Sequence, residues 1–161
     1  MIKIETRELK SDEFSLAEHL WEDYHGQKAD PLHDRIFGVI IDGKVSASAR
    51  YVKHADGGEM DCVFVPETEN GKGYARDAVE NLIIHCGSET MYIHSTLDLI
   101  PFYPTVGFLP IAEDQLPPSI KERFSFCLGT MKDCNISPMV WKGAVVRPAL
   151  PLPPEGIPRG S

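Results

Sequence analysis

The periodicity of the chain changes once between residues 61 and 87, and that change narrows the folds open to it. CVFV, at positions 62–65, is a β-rich run, whereas Ala75, Ala78, Val79, Leu82, Ile83 and Cys86 recur at helical steps. Between the two lies Asn70-Gly71-Lys72-Gly73-Tyr74-Ala75, and Gly87 stands at the expected helix end. A strand that runs through glycines into a helix makes an anion cradle. Glycine lets backbone N–H groups approach a ligand closely, and the helix N-terminus adds a positive field. Two standard phosphate motifs are excluded: GxxxxGK(S/T) is absent, and GxGxxG is broken by Arg76.

Around this segment the chain reads as alternating strands and helices. Residues Ile2–Glu8 alternate as a strand, and Ser11 or Asp12 is placed to cap a helix reaching about His25, with Phe14, Ala17, Leu20, Trp21 and Tyr24 on one stripe. RIFGVII and KVSASARYV flank Asp42-Gly43, a dipeptide that closes two-residue hairpins. Ala55-Asp56-Gly57-Gly58 then turns the chain into EMDCVFV. MYIHST is a further strand, IPFYPTV a short helix interrupted by prolines, and GFLPIA a strand. Residues Pro117 to about Lys132 are expected to be helical before a last strand at Pro138–Lys142. The order is that of a mixed α/β domain.

A chain of 161 residues holds one ordinary domain. Its 42% apolar and 25% charged residues exclude collagen-like, disordered and membrane classes. The net charge of -8 weighs against nucleic acid or anionic lipid as partners and suits a cationic acceptor such as an amine. Cys62, Cys86, Cys127 and Cys134 form neither CxxC nor a zinc spacing, and the N-terminus has no signal-like apolar stretch, so reduced thiols in a cytoplasmic protein are expected. His19 and His54 have no ligand partner at helical or alternating spacing, and no metal is expected.

The glycine turn resembles the pyrophosphate signature of the GNAT N-acetyltransferase superfamily, Arg/Gln-x-x-Gly-x-Gly/Ala. Gly73 and Ala75 fill the last two fixed positions, while Asn70 stands at the first, where the pattern has Arg or Gln. Pro66 to Asn70 is one residue longer than the family's Val-x-Pro-x-x-Arg run, so a bulge is expected near Thr68. About thirty residues on, Phe102-Tyr103-Pro104-Thr105-Val106-Gly107-Phe108 resembles the family's Phe-Tyr-x-x-x-Gly-Phe segment. The resemblance covers residues 2–112, fits poorly over 117–136 and does not reach the tail.

It implies a GNAT fold, α/β in the α+β sense, with a central mixed, mostly antiparallel sheet flanked by helices. The acetyltransferase domain would span 1–143, and the Pro-rich tail 144–161 would be extended or disordered. It further implies acetyl-CoA as cosubstrate, its pantetheine paired with backbone at Val63 and Val65. The pyrophosphate would be held by Asn70, Gly71, Lys72, Gly73, Tyr74, Ala75 and Arg76. The transfer needs an acid, a base and an oxyanion donor. Tyr103 matches the family tyrosine beside the CoA sulfur, Glu59 is placed to act as base directly or through water, and His94 would face the acyl end of the cleft. A backbone N–H near Val63 would serve the oxyanion. The blander roles stay open: Tyr103 as packing, Glu59 as a solvated turn carboxylate, His94 on the other strand face. The family's pantetheine-binding Asn has no counterpart after Ser95 and Thr96. The acceptor would be a small-molecule or peptide amine, walled by 24–33 and 117–135, and a homodimer is one option for assembly. A catalytically silent acyl-CoA-binding module, transfer of another acyl group, and a tail that docks on a partner are the alternatives.

Overall fold

The computed structural model describes residues 1–96, 99–123 and 136–143, so the expectations for 124–135 and for the tail lie outside the described residues. The strands are β1 (Ile4–Glu8), β2 (Asp34–Ile41), β3 (Lys44–His54), β4 (Gly57–Phe64), β5 (Met91–Thr96), β6 (Leu109–Pro110) and β7 (Ile136–Trp141). Two helices lie wholly within the described residues, α1 (Phe14–Leu20) and α2 (Tyr74–Cys86). One sheet runs β1-β2-β3-β4-β5-β7-β6. Every pairing is antiparallel except β4 with β5, whose parallel connection requires a crossover that α2 supplies. The sheet is therefore mixed and mostly antiparallel, as the resemblance implies.

Adjacent β2 residues divide the core between the two faces, as the strand period demands. Ile36 is buried with Phe14, Ala17, Leu20 and Trp21 under α1. Its neighbour Phe37 is buried with Ala78, Val79, Leu82 and Cys86 under α2. The β2–β3 hairpin turns on Asp42 and Gly43, at φ 48° and 81°, the pair of left-handed conformations that a type I′ turn needs.

Several local expectations are corrected. The first helix is shorter than 11–25, since single 3-10 turns at Ser11–Glu13 and Trp21–Asp23 flank α1. Neither Ser11 nor Asp12 caps it; the Glu13 carboxylate instead accepts the Lys10 N–H at 2.8 Å. In the second hairpin only Ala55 and Asp56 form the turn, and Gly57 and Gly58 belong to β4. Gly58 is needed there because a Cβ would stand 2.6 Å from the Tyr51 ring. Tyr103–Val106 is a single 3-10 turn, and the strand expected at GFLPIA shrinks to two residues. Gly87 ends α2 at φ -81° rather than in the left-handed region, and a Cβ there would collide with the Ile83 carbonyl that accepts the Gly87 N–H. Residues 118–123 are helical.

The feature that shapes the site is a β-bulge in β4. Ser48 pairs with Phe64 while Arg50 pairs with Asp61, so β4 carries one residue more than β3 over this stretch, and Cys62 takes φ 48°. The extra residue resets the alternation: Met60 and Val63 both pack on the α2 side, whereas Cys62 and Phe64 pack on the α1 side. Ser48 anchors the distortion. Its hydroxyl donates to the Cys62 carbonyl and accepts the Trp21 indole N–H, each at 2.8 Å. The carbonyl of the bulged residue is thereby bonded by a β3 side chain that Trp21 holds from the α1 layer.

Candidate active site

β4 and β5 pair only at Gly58/Met91 and Glu59/Tyr92, and beyond those positions they part. A cavity of about 780 Å³ fills the opening, with Val63 and Val65 on one wall and Ile93 and His94 on the other. Ile93 packs on the α2 side, so His94 faces the α1 side. The cavity thus crosses the sheet, and ligands from its two faces can meet in the gap.

On the α2 side lies the glycine turn. Gly71 and Gly73 hold φ 83° and 82° with open space where a Cβ would point, so backbone conformation and not packing selects glycine. Gly73 sits at the N-cap of α2, no side chain caps that first turn, and Tyr74, Ala75 and Arg76 line the cavity. The longer loop is absorbed by a 3-10 turn at Glu67–Glu69, which contains Thr68. Asn70 turns its Oδ1 to the Gly71 N–H at 3.1 Å. Lys72 pairs with Glu69 at 2.8 Å and alone among the cofactor candidates does not line the cavity. Arg76 stacks over Phe102 at 5.3 Å and donates to Thr105 Oγ1 at 2.8 Å, tying α2 to the turn that carries Tyr103.

Tyr103 both packs in the core and faces the cavity. It is 2% exposed, packs edge-on against Phe102 and Phe108, and also lines the cavity.

On the α1 side the charged residues converge. Glu59 is 1% exposed and stands behind the cavity wall. Its Oε1 lies 2.8 Å from His54 Nε2 and 2.7 Å from Arg123 Nε, and its Oε2 lies 3.8 Å from His94 Nδ1. Burial, and then the Asp61 charge, push the Glu59 carboxyl up, against the pull of Arg123 and His54. Burial, and then the Arg123 charge, push His94 down to about 4, so its ring is neutral at physiological pH. Asp61 lines the cavity and accepts two 2.7 Å bonds from Arg50, with Arg123 Nη2 at 3.2 Å. Tyr24 and His25, in one of the expected acceptor walls, reach the cavity, and Arg123, among the described residues of the other, reaches Glu59.

The structure brings together the turn, Tyr103 and His94, and sets Glu59 one layer back. Sequence reasoning weighed His54 as a metal ligand alone and passed over Asp61, Arg50 and Arg123 as site residues. The first three were within reach, because register across the β3–β4 hairpin places Arg50 opposite Asp61 and His54 diagonal to Glu59. Nothing local marks Arg123, which meets Glu59 across 64 positions of sequence. Among the described residues no three His, Cys, Asp or Glu side chains are grouped as a metal site, and no helix is long and apolar enough to cross a membrane. Cys62 and Cys86 are free and buried; burial pushes the Cys86 thiol up to about 11.

The fold has solved counterparts. N-acetylglutamate synthase from Neisseria gonorrhoeae, complexed with coenzyme A and N-acetyl-glutamate, superposes with a TM-score of 0.60 at 18% identity, covering 87% of this chain and 34% of that one. Escherichia coli ElaA gives 0.60 at 15% identity, covering 87% and 100%. The ribosomal-protein-S18-alanine N-acetyltransferase from Escherichia coli gives 0.58 at 16%, covering 93% and 100%. The chain thus spans about a third of the synthase and the full length of the other two, and at these identities the likeness is one of fold. No curated protein matches it in sequence. Residues 2–108 match the family model described as acetyltransferase (GNAT) family, and the chain belongs to that family.

Proposed function

We propose that the protein is an acetyl-CoA-dependent N-acetyltransferase that moves the acetyl group to a primary amine of a small molecule or peptide, by direct attack within a ternary complex. The observation that carries this reading is the cavity that crosses the sheet, with an anion cradle on one face and ionisable groups on the other. The cradle suits a pyrophosphate: Gly71 and Gly73 leave open space above left-handed backbone, and α2 directs its uncapped N-terminus there. Acetyl-CoA would supply the activated thioester. Val63 and Val65 would hold the pantetheine through their backbone, and an N–H near Val63 would stabilise the oxyanion.

Tyr103 Oη would return a proton to the departing sulfur from its place on the cavity wall. His94 would receive the proton of the attacking amine. A ring held near 4 is a poor resting place for a proton, so it would pass to Glu59, whose buried carboxyl has moved the other way. Residues 1–143 would form the catalytic domain, and the cytoplasm is the proposed compartment. Thiol release from acetyl-CoA against a panel of amines tests the reading. Transfer to at least one amine is expected, with kcat reduced about a hundredfold in Tyr103→Phe at an unchanged KM for acetyl-CoA. A wild type that binds acetyl-CoA and transfers to none contradicts it.

A further inference from the structure

The assignment above leaves a proton inside the protein. Glu59 is 1% exposed, and with cosubstrate and acceptor in the cavity its front is closed to water. Behind it stands His54, at the end of β3, with Nε2 2.8 Å from Glu59 Oε1 and 18% of its side chain exposed. Imidazole accepts on one nitrogen while releasing from the other, which makes such a ring a conductor as well as a partner.

We infer that His54 is the proton outlet of the site, and that His94, Glu59 and His54 form one path from the cavity to solvent. The inference rests on the proposed function. The amine proton enters the His94 ring, and Nδ1 gives one to Glu59 Oε2. The carboxyl turns and passes it to His54 Nε2, and His54 Nδ1 releases one to water. One proton leaves the amine nitrogen and one enters solvent, with no change of oxidation state; the thiolate takes its proton separately from Tyr103, and the phenolate so formed regains one from the water that enters as the products leave. The 3.8 Å between His94 and Glu59 closes by a small ring movement or a single bridging water.

The groups around the path suit traffic in this direction. Asp61 on β4 favours a proton on Glu59 and on His94, while Arg123 opposes one on either, so a proton that enters is handed on and not held. Arg123 also pairs with Glu59 Oε1, so the carboxyl is held on the His54 side by two contacts and faces His94 with its other oxygen. His54 acts through Glu59 and touches neither substrate, which makes it a positioning and relaying residue.

The test is thiol release from acetyl-CoA with n-butylamine, spermidine and alaninamide, on wild type, His54→Gln and His54→Ala. Gln keeps a hydrogen-bonding nitrogen for Glu59 but cannot relay; Ala leaves room for added imidazole. The expected result is kcat lowered roughly tenfold to a hundredfold in both variants, with the KM for acetyl-CoA and the melting temperature of His54→Gln close to wild type. Imidazole should restore His54→Ala and leave wild type unchanged. An unchanged kcat in His54→Gln, or a loss in His54→Ala that imidazole does not restore, overturns the outlet while leaving the transferase reading standing. A wild type that binds acetyl-CoA yet releases thiol to none of the amines overturns both.

Discussion

Replacing Arg50 with Ala should be among the most damaging single changes in the α1 layer, because Arg50 is the counter-charge of two carboxylates. Its side chain is 6% exposed, donates two 2.7 Å bonds to Asp61 and one of 2.8 Å to the Lys28 carbonyl, and covers the Trp21 ring at 5.3 Å. Breaking a buried pair from one side costs about 3–5 kcal/mol, chiefly for the charge left behind. Asp61 keeps Arg123 at 3.2 Å and is 23% exposed, which favours the lower end. Asp34, 5% exposed and 3.5 Å from Arg50, has no such reserve among the described cations. The expected loss is therefore about 3 kcal/mol, or a fall in Tm of about 10 °C for a domain of this size. Urea unfolding at pH 7 reads it as a lower midpoint at constant slope. Arg50→Met, which keeps most of the stem, should lose nearly as much, since charge and not volume carries the effect. Acid supplies the sign. Burial already raises the Asp34 carboxyl above its unfolded value, and loss of the guanidinium raises it further, so its penalty is present at neutral pH and is relieved as pH falls. The gap between wild type and variant should narrow toward pH 4. A loss below about 1 kcal/mol, or one equally large in acid, refutes the argument.

Other outcomes follow from single contacts. Arg7 holds Glu13 by two bonds of 2.8 and 2.9 Å and, together with the Lys10 N–H, lowers its carboxyl to about 2. The stabilisation is present above the unfolded value of 4.5 and lost as pH falls toward 2. Glu13→Gln should thus lose about 0.5–1 kcal/mol at pH 7 for a partly exposed pair, and nothing near pH 2; a pH-independent difference in thermal melts would contradict this. Gly107 holds φ 105°, and a Cβ there would stand 2.8 Å from Trp141 Cε3. Gly107→Ala should destabilise by about 3 kcal/mol in denaturant, and a neutral effect would mean that the Phe-Tyr-x-x-x-Gly-Phe turn does not pack on β7 as described.

What the sequence disclosed is local, and what it withheld depends on register. Asp42-Gly43, the glycines before α2 and the helical stripe from Ala75 to Cys86 each carry their signal within a few residues, and each sits where it was expected. The bulge does not. Nothing in EMDCVFV marks Cys62 for a positive φ; Ser48 and Trp21, 14 and 41 positions away, are what make that conformation tolerable. Because the bulge resets which side chains face which layer, it also decides that Val63 faces α2, two positions from an Asp61 that faces α1. Glu59 was legible as a carboxylate near the gap, but its burial behind His94 follows from the pairing of β4 with β5 ending at Tyr92. Arg123 comes from a segment that contributes no motif and is placed only by the folded chain.

Calorimetric titration with acetyl-CoA, wild type beside Ala75→Glu, tests the central claim most directly. Ala75 lies in the first turn of α2 on the cavity wall, where a carboxylate favours the helix and opposes a phosphate. The account predicts micromolar binding by wild type, weakened about a hundredfold in a variant that melts no lower, the effect of roughly 3 kcal/mol of like-charge repulsion in a partly desolvated site. No binding by wild type, or equal binding by both, would contradict the assignment of the glycine turn as the cradle for coenzyme A.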